Sequence, residues 1–558
     1  MSRLAFVALA SVGLLAASPA FAQQRPSEQD MFGGASSEGP APASSPDAGA
    51  PFADGGPPPS TPSVPVEGAP SAGGPPAAAA ASAAANDRDQ QLLGSAEGGP
   101  AHLSDYQAPE NPLAIGGQLY LRAQTNGLQG QNFRDWSINT PNLLDVYMDA
   151  RPNPRVRAFV LGRMSFNPTA PPGDAAAPLS MNAGAFSGGS PTGFTTFAAG
   201  RGPTSVLDQL WMRFDIKQRV FLTAGRQHVR WGTGRFWQPT DYLHAVKRNP
   251  LDVFDARPGA TMLKLHVPWE DRGWNFYGFA VTEDPNAATR TLREVAGGAR
   301  AEIVIADAEI GLDILAKAGR KPRVGIDFSR GIWEFDVYAD VGLQSGEDFN
   351  VVQRVTSPVD GIPCASPPGA TVSDISSEYA VVPLSGLKTR AVAGMNWVHK
   401  YNDNDLFTIG AEYFYNQPGY ADTSLYPGLL FNQSGTPMLN FFYTGRHYGA
   451  LFASFPMPYS WNLSTFTLST LGNLTDKSFI TRLDFSYTLL THLSLETFVG
   501  VHYGSEGGEF RLGFDVPAQY RIREPAPTDG TAPVCDYIPP GHRAPALIDV
   551  GVALRMKL

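Results

Sequence analysis

From Leu113 to the last residue, apolar side chains recur at every second position. Leu119, Leu121 and Ala123 alternate with Gln118, Tyr120, Arg122 and Gln124, and Leu210, Met212, Phe214 and Ile216 alternate with Gln209, Arg213, Asp215 and Lys217. Val156, Ala158, Val160, Met164 and Phe166 oppose Arg155, Arg157 and Arg163, with Phe159 and Leu161 as apolar exceptions on the polar side. The clearest run sets Trp333, Phe335, Val337, Ala339, Val341 and Leu343 against Glu334, Asp336, Tyr338, Asp340 and Gln344. Successive side chains of a strand point to opposite faces, so each run predicts a strand with one greasy and one wet face. No convincing helical period of 3.6 intervenes, and the class is all-β.

The final strand has the same form. Ile548, Val550, Val552, Leu554, Met556 and Leu558 fall on one side, Asp549, Gly551, Ala553, Arg555 and Lys557 on the other. A strand that runs out to the last residue suits a sheet closing on its first strand, here the one near Gly117 to Thr125. Short turns are expected at 151–154, 217–219, 270–273, near Asp307, at Arg330-Gly331, 402–405, 459–461 and near His492. Between them lie longer Gly-, Pro- and Ser-rich connections, roughly 126–141, 168–204, 230–259, 345–386, 417–445 and 505–546. Turns at one rim and long loops at the other are the mark of an antiparallel transmembrane β-barrel, whereas a sandwich has no reason to segregate its loops. The count gives about 18 strands, within a range of about 16–18.

The other end of the chain says where such a barrel sits. Arg3, the apolar run Leu4 to Ala17 and Ala20-Phe21-Ala22 make a secretory signal peptide over residues 1–22. No cysteine lies near that cleavage point, so a lipid anchor is not expected. No later apolar stretch reaches the roughly 18 residues of a membrane helix. Export plus a barrel implies the outer membrane of a Gram-negative bacterium, with outer-membrane lipid against the greasy face and the barrel-assembly machinery reading the C-terminal strand. Residues 23–112 are dominated by Pro, Ala, Gly and Ser and bury too little to offset the entropy of ordering. They read as a disordered periplasmic linker, either a plain tether or an arm towards a periplasmic partner or the cell wall. Residues 113–558 form the barrel.

Composition changes this picture little. The 43% hydrophobic and 11% aromatic content fits soluble protein and barrel alike, because barrels hide their membrane character in alternation. The net charge of −10 argues against nucleic acid, which calls for a basic stripe. Cys364 and Cys535, the two cysteines, both fall in outer loops of an exported chain, so a disulfide between them is topologically allowed.

Candidate chemistry lies on the wet face. Inward positions on the early strands are mostly basic (Arg122, Arg155, Arg157, Arg163, Arg213, Lys264), and on the middle and later strands they turn acidic (Asp313, Asp327, Glu334, Asp336, Asp340, Glu412, Glu496). Opposed across a lumen, such walls set up a field that favours hydrated or charged solutes; alternatively the charges solvate a filled interior through ion pairs. The densest stretch follows the strand Val220 to Arg226 and interleaves Arg226, Arg230, Arg235, Arg248 and Arg257 with Trp231, Phe236, Trp237 and Tyr242, beside Asp241. It is the candidate constriction loop, near 230–258, because arginines beside aromatic faces suit sugar rings, carboxylates and phosphates. The alternative is a loop whose aromatics pack as a plug or form part of the interfacial girdle. Gly232-Thr233-Gly234 lacks the further glycine and the helix of a phosphate loop.

Gly225-Arg226-Gln227, Arg230-Trp231-Gly232 and Gln238-Pro239-Thr240-Asp241 resemble the Gly-Arg-Gln, Trp-Gly and Asn-Pro-Thr-Asp pattern of large Gram-negative porin-like barrels, loosely the alginate-export-type porins. Gln238 stands where that pattern has Asn, and Leu558 where the last residue of such barrels is aromatic. The resemblance covers about 20 residues and implies a monomeric outer-membrane barrel with an Arg/aromatic loop in its pore, without indicating a substrate. The nine histidines are scattered and no His-Glu-x-x-His, Gly-x-Ser-x-Gly or metal-ligand cluster is found, so neither an enzyme nor a cofactor is expected. The expected function is a channel for passive or weakly selective passage of small hydrophilic solutes; an export or structural barrel acting with a periplasmic partner, and a membrane-embedded hydrolase, are the alternatives.

Overall fold

The structure is a computed structural model that describes residues 112–558 apart from 171–200, 245–246, 252–256, 283–290, 356–362, 367, 372–374, 403–404, 435–437, 525–531 and 533. The signal peptide and almost all of the linker expected from the sequence lie outside these residues. The barrel begins with β1 (Leu113–Leu128), β2 (Asn142–Asn153), β3 (Val156–Phe166), β4 (Thr204–Ile216), β5 (Val220–Gln227) and β6 (Ala260–Trp269). It continues through β7 (Trp274–Val281), β8 (Ala296–Ile305), β9 (Ala308–Lys317), β10 (Arg323–Ile332), β11 (Phe335–Ser345) and β12 (Leu387–Lys400). It ends with β13 (Leu406–Asn416), β14 (His447–Pro456), β15 (Ser464–Asn473), β16 (Ser478–Leu490), β17 (Leu493–Gly504) and β18 (Ala546–Lys557). Each strand pairs antiparallel with the next, and β18 pairs with β1 from Gln118↔Lys557 to Leu128↔Ala546, so the 18-strand sheet closes. Leu558 extends that seam by donating its backbone N–H to the Gly117 carbonyl at 2.9 Å. Closure leaves no unpaired edge, the condition for a sheet to stand in hydrocarbon.

The two faces divide as the alternation predicts. Outward positions such as Leu121, Met148, Leu210, Met212, Leu263, Ile314, Ile326, Leu451, Leu468 and Val499 are exposed, while their inward neighbours are buried. Aromatic clusters flank this apolar band at both ends. Near the turns stand Trp269 with Trp274, and a patch joining Trp397, Phe407, Tyr401, Tyr459 and Phe455; near the loops stand Tyr413 with His447, and Phe479 with Tyr503. An apolar band between two aromatic girdles is the exterior of a membrane-spanning barrel, because amphipathic rings favour the headgroup level.

The rims explain the register. At the inner rim, Lys217-Gln218 and Ala306-Asp307 carry positive φ in tight two-stranded reversals, the backbone twist a short hairpin needs. One expected turn is displaced: β10 runs on through Ile332 and reverses at Trp333-Glu334, with Trp333 at φ 55°, and not at Arg330-Gly331. At the outer rim most connections are long, but 318–322 and 474–477 are as short as inner turns, and 282–295 is a longer connection that alternation alone did not reveal. Two outer loops carry their own hairpins, Asn350–Arg354 with Tyr379–Pro383 and Gln519–Glu524 with Val534–Ile538. A disulfide between Cys364 and Cys535 ties these loops together across 171 residues of sequence.

Candidate functional site

The connection 228–259, between β5 and β6, does not stay at the outer rim. It crosses the lumen and docks on strands far around the barrel. The carboxyl of Glu412 on β13 accepts the backbone N–H of Arg235 at 2.7 Å, Phe236 at 3.1 Å and Trp237 at 2.9 Å, and the Tyr338 hydroxyl at 2.7 Å. Thr240 Oγ1 donates to Asp340 Oδ2 at 3.1 Å on β11, Tyr242 Oη to the Val324 carbonyl at 2.8 Å on β10, and Arg482 of β16 to the Leu251 carbonyl at 3.1 Å. A segment without regular structure can be buried only if its backbone finds partners, and these wall residues supply them. Gly232 and Gly234 allow the close approach: a Cβ would lie 2.2 Å from Asp340 Oδ2 at the first and 1.9 Å from the Trp237 carbonyl at the second.

The loop's aromatics are anchors. Trp237 is 0% exposed, stacks on Phe414 with centroids 5.3 Å apart and donates its indole N–H to the Phe442 carbonyl at 2.9 Å. Phe236 meets Phe452 edge-on, and the Arg235 guanidinium lies 3.6 Å above the same Phe452 ring. Trp231, also 0% exposed, packs edge-on against Phe279 on β7, while Tyr242 is buried beside it. These rings pack against the wall and offer no free face to a sugar. Trp237 and Phe236 share one apolar core with Tyr379 and Val352 of the 346–386 loop, Tyr426 and Leu429 of the short helix Tyr426–Leu430, and Phe510 of the last outer loop. Outer loops and inward loop therefore form a single packed body in the mouth.

The remaining loop residues divide. Arg230 donates to the Gly234 carbonyl at 3.2 Å, the Arg248 carbonyl accepts from Tyr443 Oη at 3.3 Å, and Arg257 pairs with Asp241 at 2.9 Å. Arg226 is on the outward register of β5, opposite Leu210, and donates to the Leu207 carbonyl at 3.0 Å, so it stands outside the lumen.

The two charged walls are each partly neutralised from within. On the early side, Arg157 pairs with Asp149 and Arg163 with Asp145, both at 2.8–2.9 Å. Arg122 faces inward over Phe498, Arg213 over Phe221, and Lys264 is 1% exposed on β6. On the later side, Arg300 reaches Glu302 at 2.9 Å, Asp313 at 3.3 Å and Asp327 at 2.6 Å, and Arg555 reaches Glu496 at 3.0 Å. Asp336 faces inward near the inner rim. Two residues assigned to the walls are elsewhere: Arg155 is exposed in the β2–β3 turn, and Glu334 is exposed in the β10–β11 turn, accepting from Trp397 Nε1 at 2.8 Å. Both follow from turn placement, since a residue in a reversal has left the alternation. Asp145, Asp149 and Arg300 are the minority charges of the two sides: alternation places them inward, and only the folded register shows which wall charge each one meets.

Folding the loop inward also creates a constellation absent from local sequence. His228 and His244, far apart along the loop, stack with centroids 6.0 Å apart. His228 Nε2 contacts Asp208 Oδ1 at 3.1 Å and His244 Nδ1 contacts Asp241 Oδ1 at 3.0 Å. Asp208 in turn lies 3.6 Å from Arg163. Burial pushes the Asp241 carboxyl up, but the neighbouring His244, Arg257 and Lys247 outweigh it and hold the group below the usual carboxylate range. Lys247 donates to the Asp241 carbonyl at 2.5 Å, and burial, aided by Arg390, Arg257 and Arg323, brings its ammonium down to about 7 against the pull of Asp241.

Closed sheet, apolar exterior with aromatic girdles, charged interior and a loop folded across it define a porin-like transmembrane β-barrel. No protein-family model and no curated protein matches the chain. Among solved structures it is similar to a double mutant of the Rhodopseudomonas blastica porin, at 10% identity and TM-score 0.35, covering 80% of this chain and 100% of that one. A triple mutant of the same porin matches at 11% identity and TM-score 0.35, with the same coverage. The barrel assignment rests on the strand pairing and the two faces described above.

Proposed function

We propose that the chain is an outer-membrane channel through which small hydrophilic solutes pass, narrowed by the 228–259 loop. The observation that supports it most is that loop's course: it leaves the wall between β5 and β6 and is pinned on the far side by Glu412, so that any solute must pass beside it. On one flank stands the basic group of Lys247, Arg257, Arg323 and Arg390, whose mutual field is felt by Lys247. Elsewhere in the interior a small cavity is lined by Tyr120, Arg482, Asp484, Glu496 and Phe498. Such surroundings favour hydrated, hydrogen-bonding or anionic solutes over apolar ones. The packed mouth makes the passage narrow and dependent on how firmly the outer loops are seated.

The test is conductance of the purified chain in planar lipid bilayers. Steady unit conductance, with a larger unit step when residues 230–258 are trimmed, supports the reading. A folded barrel silent in both forms contradicts it.

A further inference from the structure

Three outer connections, 417–446, 474–477 and 505–545, meet around one buried carboxyl pair. Glu509, 1% exposed, stands near the start of the 505–545 loop, and its backbone N–H donates to Asp476 Oδ2 at 2.8 Å. Its own carboxyl accepts from Tyr448 Oη at 2.6 Å, Asn473 Nδ2 at 2.8 Å and the Phe442 backbone N–H. Asp476 accepts from the same Asn473 Nδ2 at 2.8 Å, from Tyr426 Oη at 2.9 Å, and from Ser478 N and Oγ at 2.9 and 2.6 Å. Two carboxyls thus share one amide, and every donor to them is neutral. Among the described residues no Lys, Arg or His forms an ion pair with either. Arg511 turns away to the Gly504 carbonyl and Glu506, Lys477 is exposed, and His502 contacts the Phe510 carbonyl and Asp549.

Two adjoining buried carboxylates without a cation cannot both ionise cheaply. Burial first, then the Asp476 charge, pushes Glu509 up to about 8, against its hydrogen bonds to Tyr448, Asn473 and Phe442. The neighbours it holds are those of the packed mouth: Phe510 and Leu512 follow it into the core shared with Phe442, Tyr426 and Trp237.

We propose that the Glu509–Asp476 pair is a proton-dependent latch: it seats the outer loops while one carboxyl is protonated and loosens them when both are ionised. The seated state holds a proton that the released loop gives up. Release is therefore favoured as pH rises from the ordinary carboxyl value of 4.5 towards about 8, and levels off above. A carboxyl shifted this far changes the released population by about a hundredfold between about pH 5.5 and about pH 8.5.

The experiment is hydrogen exchange of the 505–512 amides in the full folded chain, each pH normalised to the exchange of an unstructured peptide. The expected result is protection that falls by tenfold or more across that range in the native chain and stays flat in Glu509→Gln, which keeps the size and loses the charge. Asp476→Asn is the second variant, expected to flatten the dependence as well should Glu509→Gln fail to fold. Constant protection in the native chain, or a native-like dependence in both variants, overturns the latch. Bilayer recordings add a second arm that rests on the channel reading: open time should rise with pH in the native chain only. A silent barrel would sink that reading while the exchange result still decides the latch.

Discussion

Replacing Glu412 by alanine removes the acceptor from which the inward loop hangs. Three consecutive loop amides, Arg235, Phe236 and Trp237, lose their partner at once, and the Tyr338 hydroxyl loses its own. A buried N–H left without an acceptor costs about 1–3 kcal/mol. Water entering the vacated space relieves part of that, and the losses are not additive, so docking of the loop should weaken by about 3–5 kcal/mol, or roughly two to three and a half orders of magnitude in its docked population. Glu412→Gln keeps one carbonyl oxygen but turns an amide donor towards N–H groups, and should weaken docking by a smaller amount, about 1–2 kcal/mol. The β12–β13–β14 ladder is backbone to backbone and survives either change. Single-channel recording reads the result: Glu412→Ala should show larger or flickering unit conductance, Glu412→Gln a partial effect, with heat-modifiable gel mobility confirming a folded barrel. A folded Glu412→Ala barrel with native conductance and a loop as protease-resistant as the native one would refute the anchoring.

Other substitutions separate wall, loop and rim. Trp237→Ala deletes a fully buried ring stacked on Phe414 and should cost about 3–5 kcal/mol, seen as a lower unfolding temperature of the loop body, whereas Arg226→Ala, on the outward register, should leave conductance unchanged. Reducing the Cys364–Cys535 bond removes a constraint of at most about 5 kcal/mol on the two outer hairpins; proteolysis of those loops should accelerate while the strands keep their circular dichroism. Lys247 loses its charge as pH rises through about 7, so anion preference, read from reversal potentials, should fall between about pH 6 and about pH 8 and become pH-independent in Lys247→Met. Because its folded value is lowered, the unfolded chain binds the extra proton in the window from 7 to 10.5, and this lysine's contribution to stability grows as pH rises through it.

The strands were legible because a membrane barrel imposes a strict period of two, and the closing seam with β1 followed once the alternation of β18 was joined to loop parity and an even strand count. The turns at 151–154, 270–273 and near Asp307 were legible because Pro, Gly or Asp marks them. At Trp333-Glu334 no such residue stands, and the visible Gly331 drew the expected reversal three residues early, which is also why Glu334 was assigned to the lumen. What alternation cannot show is the path of a loop. The Arg/aromatic density of 226–257 marked the segment, but the contact of His228 with His244, and the docking of Phe236 and Trp237 on β13 and β14, exist only once it folds across the lumen. Glu412 likewise reads as one inward acid among several; its use as a cradle for three amides is a property of the loop's backbone, which leaves no trace in side-chain pattern. Cys364 and Cys535 stood out by composition, but their pairing required the two outer hairpins to meet.

Swelling of proteoliposomes in sugars and polyols of graded size reads directly whether a passage exists and whether the inward loop narrows it. The smallest solutes should enter through the native chain, with the size limit moving upward when residues 230–258 are trimmed. Folded barrels that admit none of them in either form would contradict it.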